Sequence, residues 1–193
     1  LHIGGGFHHA FADHGEGFCV FNDPACAIRR LHSEGVIERA LVADVDLHQG
    51  NGTAAIFAAD PDVATFSIHQ EALYPFPKPP STVDVGIDPG TDDATYLELL
   101  DQHLSPLIDS HAPELLVYVA GADPYREDQL GSLGLTIAGL RARDAFVCGL
   151  CRERDLPMMV VLAGGYARNV EDTVAIHLGT LQEVAHLWRD GGD

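Results

Sequence analysis

Three polar residues after an apolar run have the types and the spacing of metal ligands. Asp44, Asp46 and His48 alternate along the chain, and alternate residues of an extended segment project from the same face. A carboxylate and an imidazole two residues apart can bind one divalent cation, and Asp123, after another apolar run, would supply a third ligand. Two aspartates and one histidine leave zinc an open position for water, as in catalytic sites. The alternative is that Asp44 and Asp46 are capping or turn residues and that His48 lies in a loop.

A tandem histidine pair follows the glycine run near the start of the chain. His8 and His9 offer a general base for a metal-activated water and an electrostatic partner for it, although adjacent histidines are also common in surface loops. Each ring needs a group on its second nitrogen that fixes its orientation. Asp44 and Asn51, both close in sequence to the predicted ligands, are the candidates.

A tyrosine stands where a strand is predicted to end. Tyr166 follows Gly164 and Gly165, and glycines there allow the backbone to approach a ligand closely. The hydroxyl of Tyr166 can polarise a carbonyl opposite a metal, as an oxyanion-hole donor does. The alternative is that this tyrosine only packs against its neighbours.

Short apolar runs that alternate with longer helical patterns must position these side chains. Continuous apolar strands separated by helices indicate an α/β fold with a central parallel sheet and helices on both faces. Ligands of such sheets bind at the carboxyl ends of the strands, and the polar residues above follow four predicted strands, the first leading into the glycine run. We predict strands at 39–45, 63–68, 114–120 and 157–163, helices at roughly 23–34, 51–59, 94–110, 136–154 and 170–188, and a long proline-rich loop at 70–93.

The composition excludes some classes of function. Eleven Lys and Arg stand against 29 Asp and Glu, a formal net charge of −18, so the chain lacks the basic surface that nucleic acids need. An acidic surface instead attracts cationic substrates such as polyamines or basic peptides. No run approaches the roughly 18 apolar residues of a membrane span, and no signal peptide is visible. Four cysteines do not make a disulfide scaffold, so we expect a cytoplasmic protein.

Two groups of residues on one predicted helix are expected to be structural. Cys148 and Cys151 have no partner pair at zinc-finger spacing, which predicts cysteines of the core or the helix face. Four arginines on or near the same helix predict a solvated face: Arg141, Arg143, Arg152 and Arg154.

The candidate residues belong to five longer motifs. These are Gly-Gly-Gly-Phe-His8-His9, Glu-Gly-Phe18-Cys-Val-Phe-Asn-Asp, Ala-Asp44-Val-Asp46-Leu-His48-Gln-Gly-Asn51-Gly-Thr, Gly-Ala-Asp123 and Ala-Gly-Gly-Tyr166. Together they resemble the zinc-dependent histone deacetylase superfamily, which includes the acetoin-utilisation and acetylpolyamine amidohydrolase proteins. The His-Gln-Gly-Asn-Gly block, the glycine-rich opening and Leu73-Tyr74-Pro75 are most similar to the class IV branch. The motifs run in family order from residue 4 to residue 170 and are jointly highly specific.

The resemblance implies the three-layer arginase-deacetylase fold and a role for each matching residue. Asp46, His48 and Asp123 match the zinc ligands, His9 the general base, His8 the electrostatic histidine, and Tyr166 the residue that polarises the amide carbonyl. Asp44 matches the carboxylate that pairs with His8, and Asn51 stands where many relatives have an aspartate beside His9. The implied substrate contacts are Gly17, Phe18, Tyr74, Leu130 and Gly165. The implied monovalent-cation site, with potassium as its ion, comprises Asp44, Asp46, His48, Ser67 and Ile68.

The resemblance also implies a reaction and a domain organisation. The reaction is hydrolysis of an N-acyl amide, of the acetyl-lysine or acetylpolyamine type, by a metal-activated water. Residues 1–193 would form a single deacetylase catalytic domain. Relatives carry a further segment before the glycine-rich opening, which supplies the first strands and an acidic residue that grips substrate. We therefore expect this chain to lack the N-terminal strands.

Two other functions stay open at this point. A manganese ureohydrolase shares the fold, but it needs further carboxylates for a second metal, and the sequence has no Asp-Ala-His-Ala-Asp-like block. A non-catalytic module that binds acyl-lysine would keep the same pocket without turnover.

Overall fold

The computed structural model describes residues 1–190, and its centre is a five-stranded sheet in which every pairing is parallel. The strands are β1 (Ala40–Asp44), β2 (Val63–Gln70), β3 (Val83–Ile87), β4 (Leu115–Val119) and β5 (Met158–Val161). Their order across the sheet is β3-β2-β1-β4-β5, which places β1 in the middle. The helices are α1 (Asp23–Ser33), α2 (Asn51–Phe57), α3 (Asp93–His111), α4 (Ile137–Glu153) and α5 (Val170–Asp190).

Two apolar clusters lie on opposite faces of the sheet and make three layers. Leu41 and Ala43 of β1 belong to the larger cluster, together with residues of α3, α4 and α5. Ala40 and Val42, which point the other way because side chains alternate along a strand, pack with residues of α1 and α2. All five residues of β1 are buried, and so are all five of β4. The predicted α/β fold with helices on both faces is confirmed.

The glycine-rich opening is fixed to this scaffold by the residue that begins α1. Asn22 is the N-cap of α1, and its Oδ1 accepts a hydrogen bond from the backbone N–H of Ala25. Its Nδ2 also donates to the carbonyl of Ala10 and to the hydroxyl of Thr53 on α2. One helix cap therefore connects the segment after the tandem histidines to both helices on that face.

The four predicted strands and the five predicted helices are present, with ends that differ by a few residues. The expectation of a long loop at 70–93 is wrong, because Val83–Ile87 forms β3 at the edge of the sheet. Only Val85 and Ile87 of this strand are buried, so the apolar pattern of the strand is short. The neighbouring prolines made the segment resemble a loop. The predicted opening strand is reduced to a single parallel bridge between His2 and Val161.

The expectation of a solvated arginine face on α4 is wrong at one position. Arg143 is fully buried, with 0% of its surface exposed, whereas the side chain of Arg141 is 49% exposed. Cys148 and Cys151 are buried free cysteines, as predicted. Between residues 1 and 190, none of the helices has both the length and the apolar character that crossing a membrane requires. The cytoplasmic location and the single catalytic domain over 1–193 stay predictions.

Candidate metal centre and active site

The three predicted metal ligands meet where two neighbouring strands end. Because β1 and β4 pair in parallel with Asp44 opposite Val119, the segments that follow them leave the sheet side by side. Asp46, His48 and Asp123 then offer ligand atoms that all lie within 4.8 Å of one another. The Nδ1 atom of His48 is 3.2 Å from a carboxylate oxygen of each aspartate. All three residues are buried, and the most exposed of them, His48, exposes 9% of its surface.

Backbone N–H groups hold the two aspartates in place. The N–H of Leu47 donates to Asp123 Oδ1 at 3.0 Å, and the N–H of Gly164 donates to Asp46 Oδ2 at 2.9 Å. A Cβ atom at residue 164 would lie 2.3 Å from Asp123 Oδ2, so a glycine is required for the strand end to approach the carboxylates. Gly164 therefore contacts the candidate ligand cluster (Asp46, His48 and Asp123) directly.

This group of residues fits a divalent cation. Within residues 1–190, the buried Oδ2 atom of Asp123 has no partner in hydrogen-bond geometry, and its near neighbour at 3.2 Å is Nδ1 of His48, itself a candidate ligand. Both atoms can therefore face the same cation. Burial opposes protonation of His48, but the carboxylates of Asp123 and Asp46 outweigh burial and raise the pKa of His48 to about 10. Burial and the charge of Asp46 raise the pKa of Asp123 to about 7. The position thus favours a positive charge, and two carboxylates with one imidazole are ligands that zinc accepts.

The tandem histidines lie beside this cluster, each with its own partner. His8 Nδ1 is 2.6 Å from Asp44 Oδ2, and His9 Nδ1 is 2.7 Å from Asn51 Oδ1. The two ring centroids are 4.0 Å apart. Gly17, at φ +52°, packs on the His9 ring so closely that a Cβ atom there would lie 2.5 Å from it. Both pairs proposed from the sequence are therefore formed.

The two histidines have opposite electrostatic surroundings. Burial opposes the charge of His8, but the carboxylates of Asp44 and Asp46 outweigh it and raise the pKa of His8 to about 9. Burial and the neighbouring His8 charge lower the pKa of His9 to about 3. The difference follows from the partners, because a carboxylate stands beside His8 and a neutral amide stands beside His9.

A cavity of about 140 Å³ opens above these residues. Ten of the residues singled out from the sequence line it: His8, His9, Gly17, Phe18, Asp46, His48, Tyr74, Asp123, Leu130 and Tyr166. Phe18 stands at its mouth, 83% exposed and at a φ of 67°, in the left-handed region that side chains other than glycine seldom adopt. Gly165 is not part of the lining. A Cβ atom at this residue would face Thr173 and Ala122 and not the cavity.

Tyr166 is held by an aspartate that the sequence analysis missed. Asp128, 5% exposed, accepts hydrogen bonds from the backbone N–H groups of Tyr166 at 2.6 Å and of Leu130 at 2.8 Å. Burial and the charge of Asp123 raise the pKa of the Tyr166 hydroxyl to about 12, so the hydroxyl keeps its proton and can donate it in a hydrogen bond. No apolar pattern surrounds Asp128 in the sequence, so nothing marked it for this role.

Two further acidic residues were also missed. Asp23, at the start of α1, accepts hydrogen bonds from the N–H groups of Gly6 and Phe7 and so anchors the glycine run. Glu16 accepts hydrogen bonds from Asn51 and Tyr74. The signal for Asp23 was available, because a run of glycines has no side chains of its own and its N–H groups need acceptors elsewhere.

The residues of the predicted monovalent-cation site lie on adjacent strands. Asp44 of β1 is opposite Ser67 of β2 in the sheet register, and Ile68 follows, buried. The Ser67 hydroxyl lies 3.0 Å from His69 Nδ1. A potassium site here stays a prediction.

Comparisons with known proteins agree with this geometry. Residues 1–181 match the model of the histone deacetylase domain family. An uncharacterized protein of Picosynechococcus sp. is 44% identical over 90% of this chain and 58% of its own length. Histone deacetylase 2 of Arabidopsis thaliana is 34% identical over 91% of this chain and 46% of its own. The crystal structure of acetylpolyamine aminohydrolase from Burkholderia pseudomallei superposes with a TM-score of 0.81 at 28% identity, over 93% of this chain and 54% of that one.

These matches fix the family and leave its finer divisions open. The chain spans about half the length of the curated relatives it matches, and placement in the class IV branch stays a prediction. The matched segment contains the ligand cluster, both histidines and Tyr166. The chain belongs to the histone deacetylase domain family.

Proposed function

We propose that this cavity hydrolyses an N-acyl amide of the acyl-lysine or acetylpolyamine type, with zinc held by Asp46, His48 and Asp123. The observation that carries the proposal is that these ligands, the histidine pair and Tyr166 line one cavity. Water adds across the amide: its hydroxyl group joins the acyl carbon, the carbon–nitrogen bond breaks, and its proton goes to the amine. Zinc, when bound, supplies a Lewis acid and lowers the pKa of the attacking water.

The protein's own side chains move the protons and stabilise the developing charge. The Nδ1–H of His9 donates a hydrogen bond to Asn51 Oδ1, so Nε2 is free to accept the proton of the attacking water and to pass it to the leaving amine. His8, charged beside Asp44, faces the same space and provides positive charge. The Tyr166 hydroxyl donates a hydrogen bond to the substrate oxygen as negative charge develops on it.

The surface charge agrees with a cationic substrate. A net charge of −18 raises the local concentration of polyamines and basic peptides at the mouth of the cavity. The exposed side chain of Phe18 and the partly exposed Leu130 form the apolar part of this mouth. They suit the methylene stem that an acyl-lysine and an acetylpolyamine share.

The test is amine release by the chain with one zinc per molecule verified. The panel comprises lysine peptides with acyl groups from acetyl to long fatty acyl, and acetylpolyamines. Turnover of at least one substrate is expected and identifies the acyl class and the carrier. One bound zinc without turnover of any member would overturn the hydrolase proposal and leave a module that binds acyl-lysine, which the same peptides would show as ligands.

Tyr166→Phe separates the chemistry from the binding. Loss of one oxyanion donor costs about 100-fold or more in rate, while the zinc content stays at one because Tyr166 is not a ligand. Tyr125→Phe is the matched control, since the Tyr125 hydroxyl bonds to Asp172 outside the cavity lining and its loss leaves turnover as in the parent. Equal turnover of Tyr166→Phe and the parent would remove Tyr166 from the mechanism.

A further inference from the structure

The side chain of Asn51 is a buried amide between two polar groups of different kinds. Its Oδ1 atom is 2.7 Å from His9 Nδ1, and its Nδ2 atom is 3.0 Å from Oε1 of Glu16. Asn51 is 2% exposed and His9 is 5% exposed. The amide therefore has two fixed neighbours and little access to water.

The orientation of this amide is coupled to the position of a proton. When Oδ1 faces His9, the imidazole must donate from Nδ1, and the neutral ring leaves Nε2 without a proton. When the amide is turned over, its NH₂ group faces His9, Nδ1 must accept, and the proton moves to Nε2. A neutral His9 can act as a base at Nε2 in the first arrangement only.

Glu16 removes the ambiguity because an ionised carboxylate only accepts hydrogen bonds. The Tyr74 hydroxyl also donates to its Oε1 atom, and that hydrogen bond, together with the one from Asn51, lowers the pKa of Glu16 against the effect of burial. A carboxylate fixed in this position can be faced by the NH₂ group of Asn51 and not by its oxygen. Glu16 therefore fixes the orientation of the Asn51 amide by accepting the hydrogen bond of its NH₂ group.

We infer that Glu16 is a positioning residue that acts through Asn51 to hold His9 in the tautomer with its proton on Nδ1. The inference rests on the proposed function in one respect, namely that His9 is the base. Glu16 is not part of the cavity lining, so it has no direct contact with a substrate there. Its effect through Asn51 and His9 is expected on kcat, whereas any effect through Tyr74, which donates to Glu16 and lines the cavity, is expected on KM.

The direct test reads the proton on His9 and does not depend on activity. In protein labelled with ¹⁵N at the histidine rings, the two nitrogens differ strongly in chemical shift when one carries the proton, and the His9 signals are assigned by their loss in His9→Phe. The parent is expected to show Nδ1–H. Glu16→Met, which removes the acceptor, is expected to shift His9 toward Nε2–H, whereas Glu16→Gln, which keeps an acceptor oxygen, shifts it less.

The matched control is Glu34→Gln, which removes the charge of the exposed C-cap glutamate of α1, paired with Arg30 of that helix. It is expected to leave the His9 spectrum and kcat unchanged. In an active parent, Glu16→Met is expected to lower kcat about tenfold or more, the lower end of the scale for a hydrogen bond to a charged group, besides any change in KM caused by loss of the Tyr74 hydrogen bond.

A second substitution distinguishes positioning from a general loss of structure. Asn51→Asp replaces the amide by a carboxylate, which has no NH₂ group to turn toward His9. In the Glu16→Met background, Asn51→Asp is expected to restore Nδ1–H and most of kcat. In the presence of Glu16 the same change places two carboxylates about 3 Å apart and is expected to lower kcat.

The outcomes are separable from those of the proposed function. If the parent has no turnover but its His9 tautomer changes in Glu16→Met, the positioning role stands and the hydrolase proposal falls. If His9 keeps Nδ1–H in Glu16→Met, the inference is overturned, whatever the activity of the parent.

Discussion

Two neighbouring clusters of buried charge differ in where their positive charge comes from. The ligand cluster consists of Asp46, His48 and Asp123, and the arginine cluster consists of Arg143, Asp144, Tyr118 and Thr180. Both are almost completely shielded from solvent. The arginine cluster contains its own permanent cation. The ligand cluster has two carboxylates around one imidazole, and their charge can be balanced by a proton on His48 or by a metal ion.

In the arginine cluster every carboxylate oxygen has a partner from the chain, and in the part of the chain that the structure describes the buried atom without a hydrogen bond is a donor, Arg143 Nη2. Arg143 approaches Oδ1 of Asp144 with Nε at 3.0 Å and Nη2 at 2.9 Å. The hydroxyl groups of Tyr118 and Thr180 donate to the two oxygens of the same carboxylate at 2.5 and 2.6 Å. By contrast, Oδ2 of Asp123 in the ligand cluster accepts no hydrogen bond within residues 1–190. Of these two clusters, the ligand cluster is therefore the one with a free acceptor oxygen that a cation can bind.

The two clusters are also joined through the backbone. Arg143 Nη1 donates to the carbonyl of Gly121 at 2.7 Å and reaches that of Val45 at 3.4 Å. Val45 directly precedes the candidate ligand Asp46, and Gly121 lies two residues before Asp123. The cluster with its own cation therefore fixes both chain segments that carry the ligands of the other.

The largest effect is expected from Asp123→Asn, which keeps the shape of the side chain and an acceptor for Leu47. Zinc per chain should fall from one to near zero, and turnover should be lost. Zinc at a thousandfold its Kd would stabilise the parent by about 4 kcal/mol, and this gain should vanish. The metal-free variant should unfold at no lower temperature than the metal-free parent, because a buried charge that faces Asp46 has been removed.

Metal analysis and thermal unfolding with and without zinc check this prediction. Asp84→Asn serves as a control, because Asp84 accepts from Gln49 and from the N–H of Ser81 on the proline-rich segment and is not among the ligands. Zinc binding by Asp123→Asn with the affinity of the parent would show that the ligand cluster does not hold the metal.

Asp144→Asn should have the opposite effect on the metal-free protein. The substitution leaves the Arg143 guanidinium buried without its counter-charge, and breaking such a pair costs about 3–5 kcal/mol of the free energy of unfolding. Urea unfolding of the metal-free protein measures this cost. The double variant Arg143→Met/Asp144→Leu should cost less than Asp144→Asn, since no unpaired charge remains. An Asp144→Asn protein as stable as the parent would contradict the assigned pairing.

Much of the ligand cluster could be predicted because its geometry is local. Asp46 and His48 follow one strand with a spacing of two, and Asp123 follows the strand beside it, so parallel pairing alone brings them together. Strand β3 could not be predicted with the same ease, because an edge strand with one buried face has few apolar residues. Glu16 lies 35 residues from Asn51, in a loop whose course only the tertiary structure sets.

Arg143 is a different case, because the helical period did contain the answer. It lies three residues after Leu140 and four before Val147, and both of these are fully buried. Spacings of three and four place residues on one helix face. The charge of the side chain argued for the surface, and the period argued for the core. The buried carboxylate of Asp144, next in the sequence, is what makes the second outcome stable.

The smallest effect is expected from Arg141→Met, on the same helix as Arg143. The Arg141 side chain is 49% exposed and pairs with Glu183 at 2.8 Å, and exposed ion pairs contribute about 1 kcal/mol or less. Arg143→Met, two residues further along, strands the buried Asp144 carboxylate and should cost several-fold more, within about 3–5 kcal/mol. Urea unfolding of the two metal-free variants compares the same chemical change at both positions. Equal losses in the free energy of unfolding would mean that burial of the Arg143 pair adds nothing to stability. The arginine cluster would then hold the segments of Asp46 and Asp123 no more strongly than a surface ion pair does.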